Sequence, residues 1–264
     1  MLDLSSSSVT NEILDKLAPA IYSNKILISL ILSHNEISAS SSAAISSILR
    51  KGGLLRLDLS FTHIGNTGIE QIAPAIANST VQTLSLVSCK ITSTGAGHLY
   101  TALKRAKLRN LILDRNNLSG GSILILRDTF RGNALLESLH INHCDLTSPD
   151  LATLADGLHK NTMLTTLSLH HNYVQSPGLK MLCEALSGGY THLTFLDLSS
   201  NQIDDEGGKE IGRMLCSNRS LKSLNLRDNA LRQATGVALV DALTKNRTVE
   251  NIALGYNSIS IKFV

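Results

Sequence analysis

Residues 164–174 read LTTLSLHHNYV, residues 193–203 read LTFLDLSSNQI and residues 221–231 read LKSLNLRDNAL. Each stretch begins with leucine, continues with two leucines separated by a single residue, and ends with asparagine, any residue and an apolar residue. Apolar side chains at every second position are typical of a strand with one buried face. The three stretches therefore predict three short strands that carry the same side chains into the same kind of core.

The same pattern, L-x-L-x-x-[N/C/T]-x-[I/L/V], recurs ten times along the chain at intervals of 27 to 29 residues, with Ser7 at the polar position of the first copy. Between copies, a small residue is followed by apolar residues at helical spacing, as in residues 68–76 and 235–243. No linker interrupts the series, so we predict one domain over residues 1–264. The first apolar residues of the ten copies are Leu2, Leu30, Leu57, Leu84, Leu111, Leu139, Leu167, Leu196, Leu224 and Ile252.

These ten copies resemble the leucine-rich repeat superfamily, and their length and helical second halves resemble its ribonuclease-inhibitor-like class. The resemblance covers essentially the whole chain. It implies an α/β fold, a right-handed leucine-rich-repeat solenoid or horseshoe, with a parallel β-sheet on the concave face and α-helices on the convex face. The same scaffold serves inhibitors, immune sensors, GTPase activators and axonemal proteins, so the resemblance alone does not select a function.

Elementary geometry gives the same shape. A strand, a helix and a return to a parallel strand form a right-handed crossover unit. One such unit cannot bury its own apolar face, so neighbouring units stack and share a continuous core. Strands lie about 4.8 Å apart, whereas helices are about 10 Å across. This difference bends the stack and puts the strands on its inner side.

The sixth position of the pattern, counted from the first leucine, is polar. In the resembled family these side chains point inward and bond the backbone of the turn, where an amide supplies both a donor and an acceptor. We therefore predict structural roles for Cys89 and Cys144, and four cysteines in all do not suggest a disulfide framework. The sixth positions are Ser7, Asn35, Thr62, Cys89, Asn116, Cys144, Asn172, Asn201, Asn229 and Asn257.

Composition excludes several classes of function. The net charge of +3, from 24 basic and 21 acidic residues, does not indicate a nucleic-acid partner. No uninterrupted apolar stretch is long enough to cross a membrane, and the first residues lack the plan of a secretion signal. We therefore predict a cytoplasmic protein that binds neither nucleic acid nor membrane.

The side chains at positions two, four and five of each copy point away from the core, into the concave surface. This mixed polar surface on a rigid frame predicts a protein-binding face, with the partner unidentified and no cofactor. The candidate binding residues are His34, Asp58, Phe61, Asp114, Arg115, His140, His143, His170, His171, Asp197, Arg227, Asp228 and Tyr256.

Four of these candidates form a central histidine group at positions 140, 143, 170 and 171. With strands in register, His143 lies beside His171 and Asn142 lies beside His170. A pair of histidines without a cysteine or carboxylate from the same two repeats is an incomplete ligand set, so we predict no metal site. Two interpretations stay open for the group: a contact patch whose charge responds to pH, or simply solvated histidines.

The sequence contains no P-loop, no G-x-S-x-G and no paired-carboxylate arrangement, so we predict a protein without enzymatic activity. One alternative is a GTPase activator of the Ran-GTPase-activator type, which needs an exposed arginine such as Arg56 or Arg115. The loop insertion of those activators is not seen, since no interval exceeds 29 residues. The repeats are equally compatible with a structural component of a cytoskeletal or ciliary assembly and with the sensor domain of an innate immune receptor.

The ends of the chain also carry an expectation. The first copy begins at residue 2, the last strand has no following helix, and the chain closes on the apolar pair Phe263 and Val264. A solenoid without polar caps exposes core surface and an unpaired strand. We therefore expect the chain to be part of a longer protein with flanking domains, or to associate end to end.

Overall fold

The computed structural model describes residues 1–132, 135–159, 161–189 and 191–259. Within these ranges, ten short strands alternate with nine α-helices. The strands are Leu2–Asp3 (β1), Ser29–Ile31 (β2), Arg56–Asp58 (β3), Thr83–Ser85 (β4), Asn110–Ile112 (β5), Ser138–His140 (β6), Thr166–Ser168 (β7), Phe195–Asp197 (β8), Ser223–Asn225 (β9) and Asn251–Ala253 (β10). The helices are Asn11–Ser23 (α1), Ser42–Arg50 (α2), Gly65–Ala77 (α3), Ser93–Leu103 (α4), Ser122–Arg131 (α5), Ser148–Leu158 (α6), Ser176–Ser187 (α7), Asp205–Ser217 (α8) and Gln233–Lys245 (α9).

The ten strands form one parallel sheet in the order in which they occur along the chain. The register aligns the first leucine of each copy with that of the next, as for Leu57 with Leu84 and Leu84 with Leu111. Each helix packs against the helices of the neighbouring repeats. The predicted solenoid, with its parallel sheet on the concave face and its helices on the convex face, is confirmed.

The leucines of the pattern form the core. Leu84 and Leu167 are fully buried, and one cluster of buried side chains runs from Val9 to Ala242. Leu2 and Ile252, in β1 and β10, are only partly buried, because each strand has a neighbour on one side among the described residues. Burying a leucine side chain stabilises the folded state by about 1.5–3 kcal/mol. This burial is repeated in every copy and therefore supplies much of the stability.

The sixth positions form a ladder of side chains inside the turns. The Asn116 Oδ1 atom accepts hydrogen bonds from the N–H groups of Cys89 at 3.1 Å and Ile91 at 3.0 Å. Its Nδ2 group donates to the carbonyls of Leu86 and Leu113, both at 2.8 Å. One amide thus ties two consecutive repeats together and pairs backbone groups that the turn would otherwise leave buried without partners.

Two cysteines, one threonine and one serine take the place of asparagine in this ladder. The Cys89 thiol contacts the Leu59 carbonyl at 3.0 Å, and the Cys144 thiol contacts the Leu113 carbonyl at 3.4 Å. Burial raises the pKa of Cys89 to about 11 and that of Cys144 to about 12, so both stay protonated, as their structural role requires. The prediction is wrong for Ser7, which is exposed and donates its hydroxyl to the Ser5 carbonyl. It belongs to the first described copy, and among the described residues no earlier turn receives its side chain.

Two further expectations concern the C-terminal end of the chain and the lack of a membrane-spanning segment. Phe263 and Val264, on which the expectation about the C-terminal end partly depends, lie outside the described residues. Of the helices described, none has the length and hydropathy that a bilayer span requires.

Candidate functional site

The fifth position of every copy has the same unusual backbone. All ten residues have φ between 49° and 59°, the left-handed region, although none of them is glycine. Such a conformation costs an L-residue roughly 1–2 kcal/mol. It is held in place because the fifth-position N–H donates to the next strand, as from His34 to the Ser60 carbonyl at 2.9 Å, while the sixth-position side chain anchors the turn. The backbone turns sharply there, at the edge of the concave face.

We call these ten residues the fifth-position row: Ser6, His34, Phe61, Ser88, Arg115, His143, His171, Ser200, Asp228 and Tyr256. Seven of the thirteen predicted binding residues belong to it. Phe61 is 42% exposed and Tyr256 is 85% exposed, while His143 is partly buried. The row therefore presents large side chains to solvent from a backbone that is fixed by hydrogen bonds.

Rings in adjacent repeats of the row stack on each other. The His34 and Phe61 rings lie 4.1 Å apart between centroids with an interplanar angle of 11°. The His143 and His171 rings lie 3.9 Å apart at 24°. Stacking follows from the register, since equivalent side chains on neighbouring strands start about 4.8 Å apart. The predicted proximity of His143 to His171 is thus found.

Three predicted binding residues at positions two and four have a second role. Asp58 accepts from the Ser60 N–H, Asp114 from the Asn142 N–H and Asp197 from the Ser199 N–H, each at 2.9 Å. In each case the carboxylate supplies the acceptor for a fourth-position N–H. These carboxylates therefore stabilise the backbone after the strands. Because one oxygen of each already accepts a backbone hydrogen bond, fewer acceptor positions remain for a binding partner.

The C-terminal half of the concave face contains a shallow concavity of about 550 Å³. It brings together five predicted residues, and its lining consists of His170, Asp197, Ser199, Ser200, Asn225, Arg227, Asp228 and Tyr256. A second concavity of about 340 Å³ adjoins it, shares Ser200 and Asp228, and adds His171 and the half-exposed Tyr173. Sequence reasoning did not single out Ser199, Ser200 or Asn225, although their positions in the pattern place them on this face.

The remaining predicted residues lie elsewhere along the sheet. His34 and Phe61 form their stacked pair near the N-terminal end, and the His140 ring contacts the Ser138 hydroxyl at 3.1 Å. Arg56 and Arg115, the arginines proposed for a GTPase activator, are both exposed and lie two strands apart, in β3 and just after β5.

His170, predicted from the sequence to belong to the histidine group but to lie beside Asn142, brings a third imidazole close to the pair. The His170 ring lies 5.2 Å from that of His143, edge to face, and 5.8 Å from that of His171. Partial burial lowers the pKa of His143 first, and the neighbouring His171, Arg115 and His170 lower it further, while Asp114 opposes them. His143 is therefore held in its neutral form near pH 7, with a lone pair on its ring.

Comparison with known proteins identifies the family to which the chain is similar. Six segments match the model of the family described as "Leucine Rich repeat", and together they cover more than half of the chain. They are residues 54–73, 77–99, 132–155, 160–183, 191–212 and 217–239.

Curated relatives match over most of the chain. It is 30% identical over 200 residues to the ribonuclease inhibitors of Mus musculus and Sus scrofa, a match that covers 74% of this chain and 44% of each inhibitor. It is 30% identical to NACHT, LRR and PYD domains-containing protein 14 of Mus musculus over 194 residues, 72% of this chain and 20% of that protein. The chain thus spans less than half the length of these relatives.

A solved structure shares the fold. The TLR13 chain of the TLR13–ssRNA13 complex superposes with a TM-score of 0.54 at 17% sequence identity, over 92% of this chain and 38% of that chain.

Proposed function

The chain belongs to the leucine-rich repeat family, in its ribonuclease-inhibitor-like class, and on that premise we propose that it binds a protein partner with the C-terminal half of its concave face. The observation that carries this proposal is the fifth-position row. Most of its side chains are exposed, several are large, and all ten share one backbone conformation.

A rigid row favours binding for a thermodynamic reason. Association costs free energy for every side chain and loop that must be ordered at the interface. Here the backbone is ordered before the partner arrives, because the N–H of each fifth position from Ser6 to Asp228 is bonded to the next strand. The partner then orders only the side-chain tips.

The chemistry of the surface also supports a protein partner. Tyr256 and Arg227 line the larger concavity, and Tyr and Arg are the residue types, with Trp, that dominate the binding energy of protein interfaces. Asp197 and Asp228 add acceptors to the same concavity. A face that mixes aromatic, cationic and anionic groups suits a folded protein with mixed surface charge.

The test compares two surfaces of the same protein. Partners are captured from extract, identified, purified and titrated against the wild-type chain, a concave variant and a convex variant. The concave variant carries Arg227→Ala, Asp228→Ala and Tyr256→Ala, all in the lining of the larger concavity. The convex variant carries Leu124→Ala, Met181→Ala and Val237→Ala, which truncate exposed side chains on α5, α7 and α9.

We expect the concave variant to raise the dissociation constant by a factor of about 100 or more, since hot-spot truncations each cost about 2 kcal/mol. The convex variant keeps the wild-type constant within about threefold, because exposed side chains outside an interface contribute little. The reverse pattern, or equal losses in the two variants, would overturn the assignment of this face. Circular dichroism of all three proteins controls for folding.

A further inference from the structure

The three histidines at the ends of β6 and β7 are close enough to share a ligand. One ring nitrogen from each of His143, His170 and His171 lies within 4.8 Å of the corresponding nitrogens of the other two. We propose that these three side chains form a binding site for a divalent transition-metal ion, with Zn²⁺ as its best-suited occupant. The expectation that no metal binds counted only the pair His143 and His171, and the third imidazole completes a set that the pair lacks.

The backbone beneath the three rings is fixed before any metal binds. The His143 N–H donates to the His170 carbonyl at 2.9 Å, and the His171 N–H donates to the Ser199 carbonyl at 2.9 Å. The His170 N–H donates to the Asn142 side-chain oxygen at 2.7 Å. Zn–N bonds of 2.0–2.1 Å in a tetrahedron place ligand nitrogens about 3.3 Å apart. Side-chain rotation alone therefore brings the nitrogens together, and the exposed ring of His171 has the most freedom to rotate.

A chain of hydrogen bonds sets the tautomer of His170. The Ser199 hydroxyl donates to the Asp197 carboxylate at 2.6 Å, and a carboxylate only accepts. The same hydroxyl oxygen lies 2.8 Å from His170 Nδ1, so it accepts a hydrogen bond from the Nδ1–H group of the ring. Nδ1 is then protonated and Nε2 carries the lone pair. Histidines that ligate metals have this arrangement, in which the second ring nitrogen donates to a polar group that orients the ring.

The donor set also selects the class of metal. Imidazole ligands suit Zn²⁺ and the neighbouring first-row ions, whereas Ca²⁺ and Mg²⁺ require oxygen ligands. Three protein ligands on a tetrahedral ion leave a fourth position for water. The site lies beside the larger concavity, since His170 lines that concavity and His171 lines the adjoining one. The metal site is argued from the three imidazoles alone, so it does not require a protein partner on that face.

The experiment titrates metal-free protein with Zn²⁺ in competition with a chromophoric chelator, and with Co²⁺ while its visible absorption is recorded. We expect one ion per chain, tetrahedral-type Co²⁺ bands, and a rise in Tm on addition of Zn²⁺. His170→Gln, His143→Asn and His171→Asn should each weaken binding by a factor of about 100 or more, since each removes one of three ligands. Asn is chosen at 143 and 171 because it tolerates positive φ.

Two further variants separate a built site from an accidental one. Ser199→Ala leaves all three ligands in place but removes the partner that orients His170, so we expect binding to weaken about tenfold, as for other outer-shell partners. His34→Ala removes an exposed histidine from the same row and should leave the affinity unchanged. Binding that persists in His170→Gln, or a stoichiometry above one that His34→Ala lowers, would overturn the proposal. Circular dichroism spectra and the Tm of each metal-free variant exclude misfolding as the cause of lost binding.

Discussion

The fifth and sixth positions of each repeat are adjacent in the chain, and they have opposite surroundings. The sixth-position side chain turns inward, as Asn201 does with no exposed surface, and it pairs backbone groups of two repeats. The fifth-position side chain turns outward, as Tyr256 does with 85% of its surface exposed. The positive φ angle of the fifth-position residue turns the backbone, so that its side chain points outward and the next side chain points inward.

This comparison shows how a repeat protein accommodates a variable surface. The conformation of the fifth position is imposed by its own N–H bond and by the sixth-position amide, so its side chain is not needed to hold the turn. Histidine, phenylalanine, serine, arginine, aspartate and tyrosine all occur there with nearly the same φ. Under our proposal, stability depends on the sixth-position row and recognition on the fifth-position row, and substitutions in the two rows measure how complete that separation is.

The largest effect is expected from Asn201→Ala. The Asn201 oxygen accepts from the Asn172 and Val174 N–H groups, and its amide donates to the Leu169 and Ser199 carbonyls. Leaving these buried groups without partners should lower the free energy of unfolding by about 3–4 kcal/mol, at about 1 kcal/mol for each lost bond. Urea denaturation followed by circular dichroism measures the loss. A change below about 1 kcal/mol, the value of a single bond, would mean that the ladder is not the main fastening of the turns.

The next effect concerns Asp150, a buried carboxylate on the helical side that joins repeats as the sixth-position row does. It accepts from the Thr147 N–H and hydroxyl, from the Ser119 hydroxyl and from the Gly120 N–H. Burial by itself raises the pKa of Asp150, but these hydrogen bonds outweigh it and lower the pKa below its ordinary value. Asp150→Ala should cost about 1–3 kcal/mol of the free energy of unfolding.

The lowered pKa of Asp150 also predicts that its contribution to the free energy of unfolding depends on pH. Because the folded-state pKa is lowered, the stabilisation is fully present above the ordinary carboxyl pKa of about 3.9, and it is lost as the pH falls through the folded value. Asp150→Asn should remove this part of the acid sensitivity, so that its stability and that of the wild type converge as the pH falls below about 4. Urea titrations at neutral and acidic pH measure the difference, and a difference that stays constant with pH would contradict the assignment.

A smaller effect tests the turn between the two rows. Ser88 has a φ of 52°, which β-branched residues strongly disfavour. Ser88→Val should lower the free energy of unfolding by about 1–2 kcal/mol, whereas Ser88→Gly should leave it within about 0.5 kcal/mol of the wild-type value, since glycine adopts positive φ without strain. Thermal and urea denaturation of the two variants give the comparison directly. Equal stability of the two variants would show that the fifth position relaxes out of the left-handed region.

The fold could be predicted from the sequence because its determinants are local and repeated. The alternation around Leu84 and Leu167 identifies a strand, and ten copies at nearly constant spacing leave one way to stack them. The inward orientation of Asn116 is implied by the resemblance to the leucine-rich repeat superfamily and not by the alternation, which would put a sixth position on the outer face. Ser7 departs from the rule because the ladder needs a preceding turn to receive the side chain, and a pattern read copy by copy does not contain that condition.

The candidate site could be predicted only in part. Register alone places His143 beside His171, since both occupy the same position on neighbouring strands. It does not predict that His170, at the fourth position, turns its ring towards them, because that depends on the Ser199 hydroxyl and the Asp197 carboxylate of the next repeat. It also does not predict that Asp58, Asp114 and Asp197 each accept a backbone N–H, which reduces what they offer to a partner.

The smallest expected effect on stability belongs to the fifth-position row itself. Tyr256→Ala should change the free energy of unfolding by less than about 0.5 kcal/mol, as substitutions of exposed side chains usually do. Phe61→Ala also removes a stacking contact with His34, which adds about 0.5–1.5 kcal/mol at most. The chain has no tryptophan, so Tyr256→Trp places a single fluorescent reporter in the half of the row that we propose binds the partner. If the emission changes on partner binding, and Tyr256→Ala weakens that binding without loss of stability, then residues of this row serve recognition without serving folding. A decrease in the free energy of unfolding above about 2 kcal/mol in Tyr256→Ala, the size of a core truncation, would show that the same residue serves both.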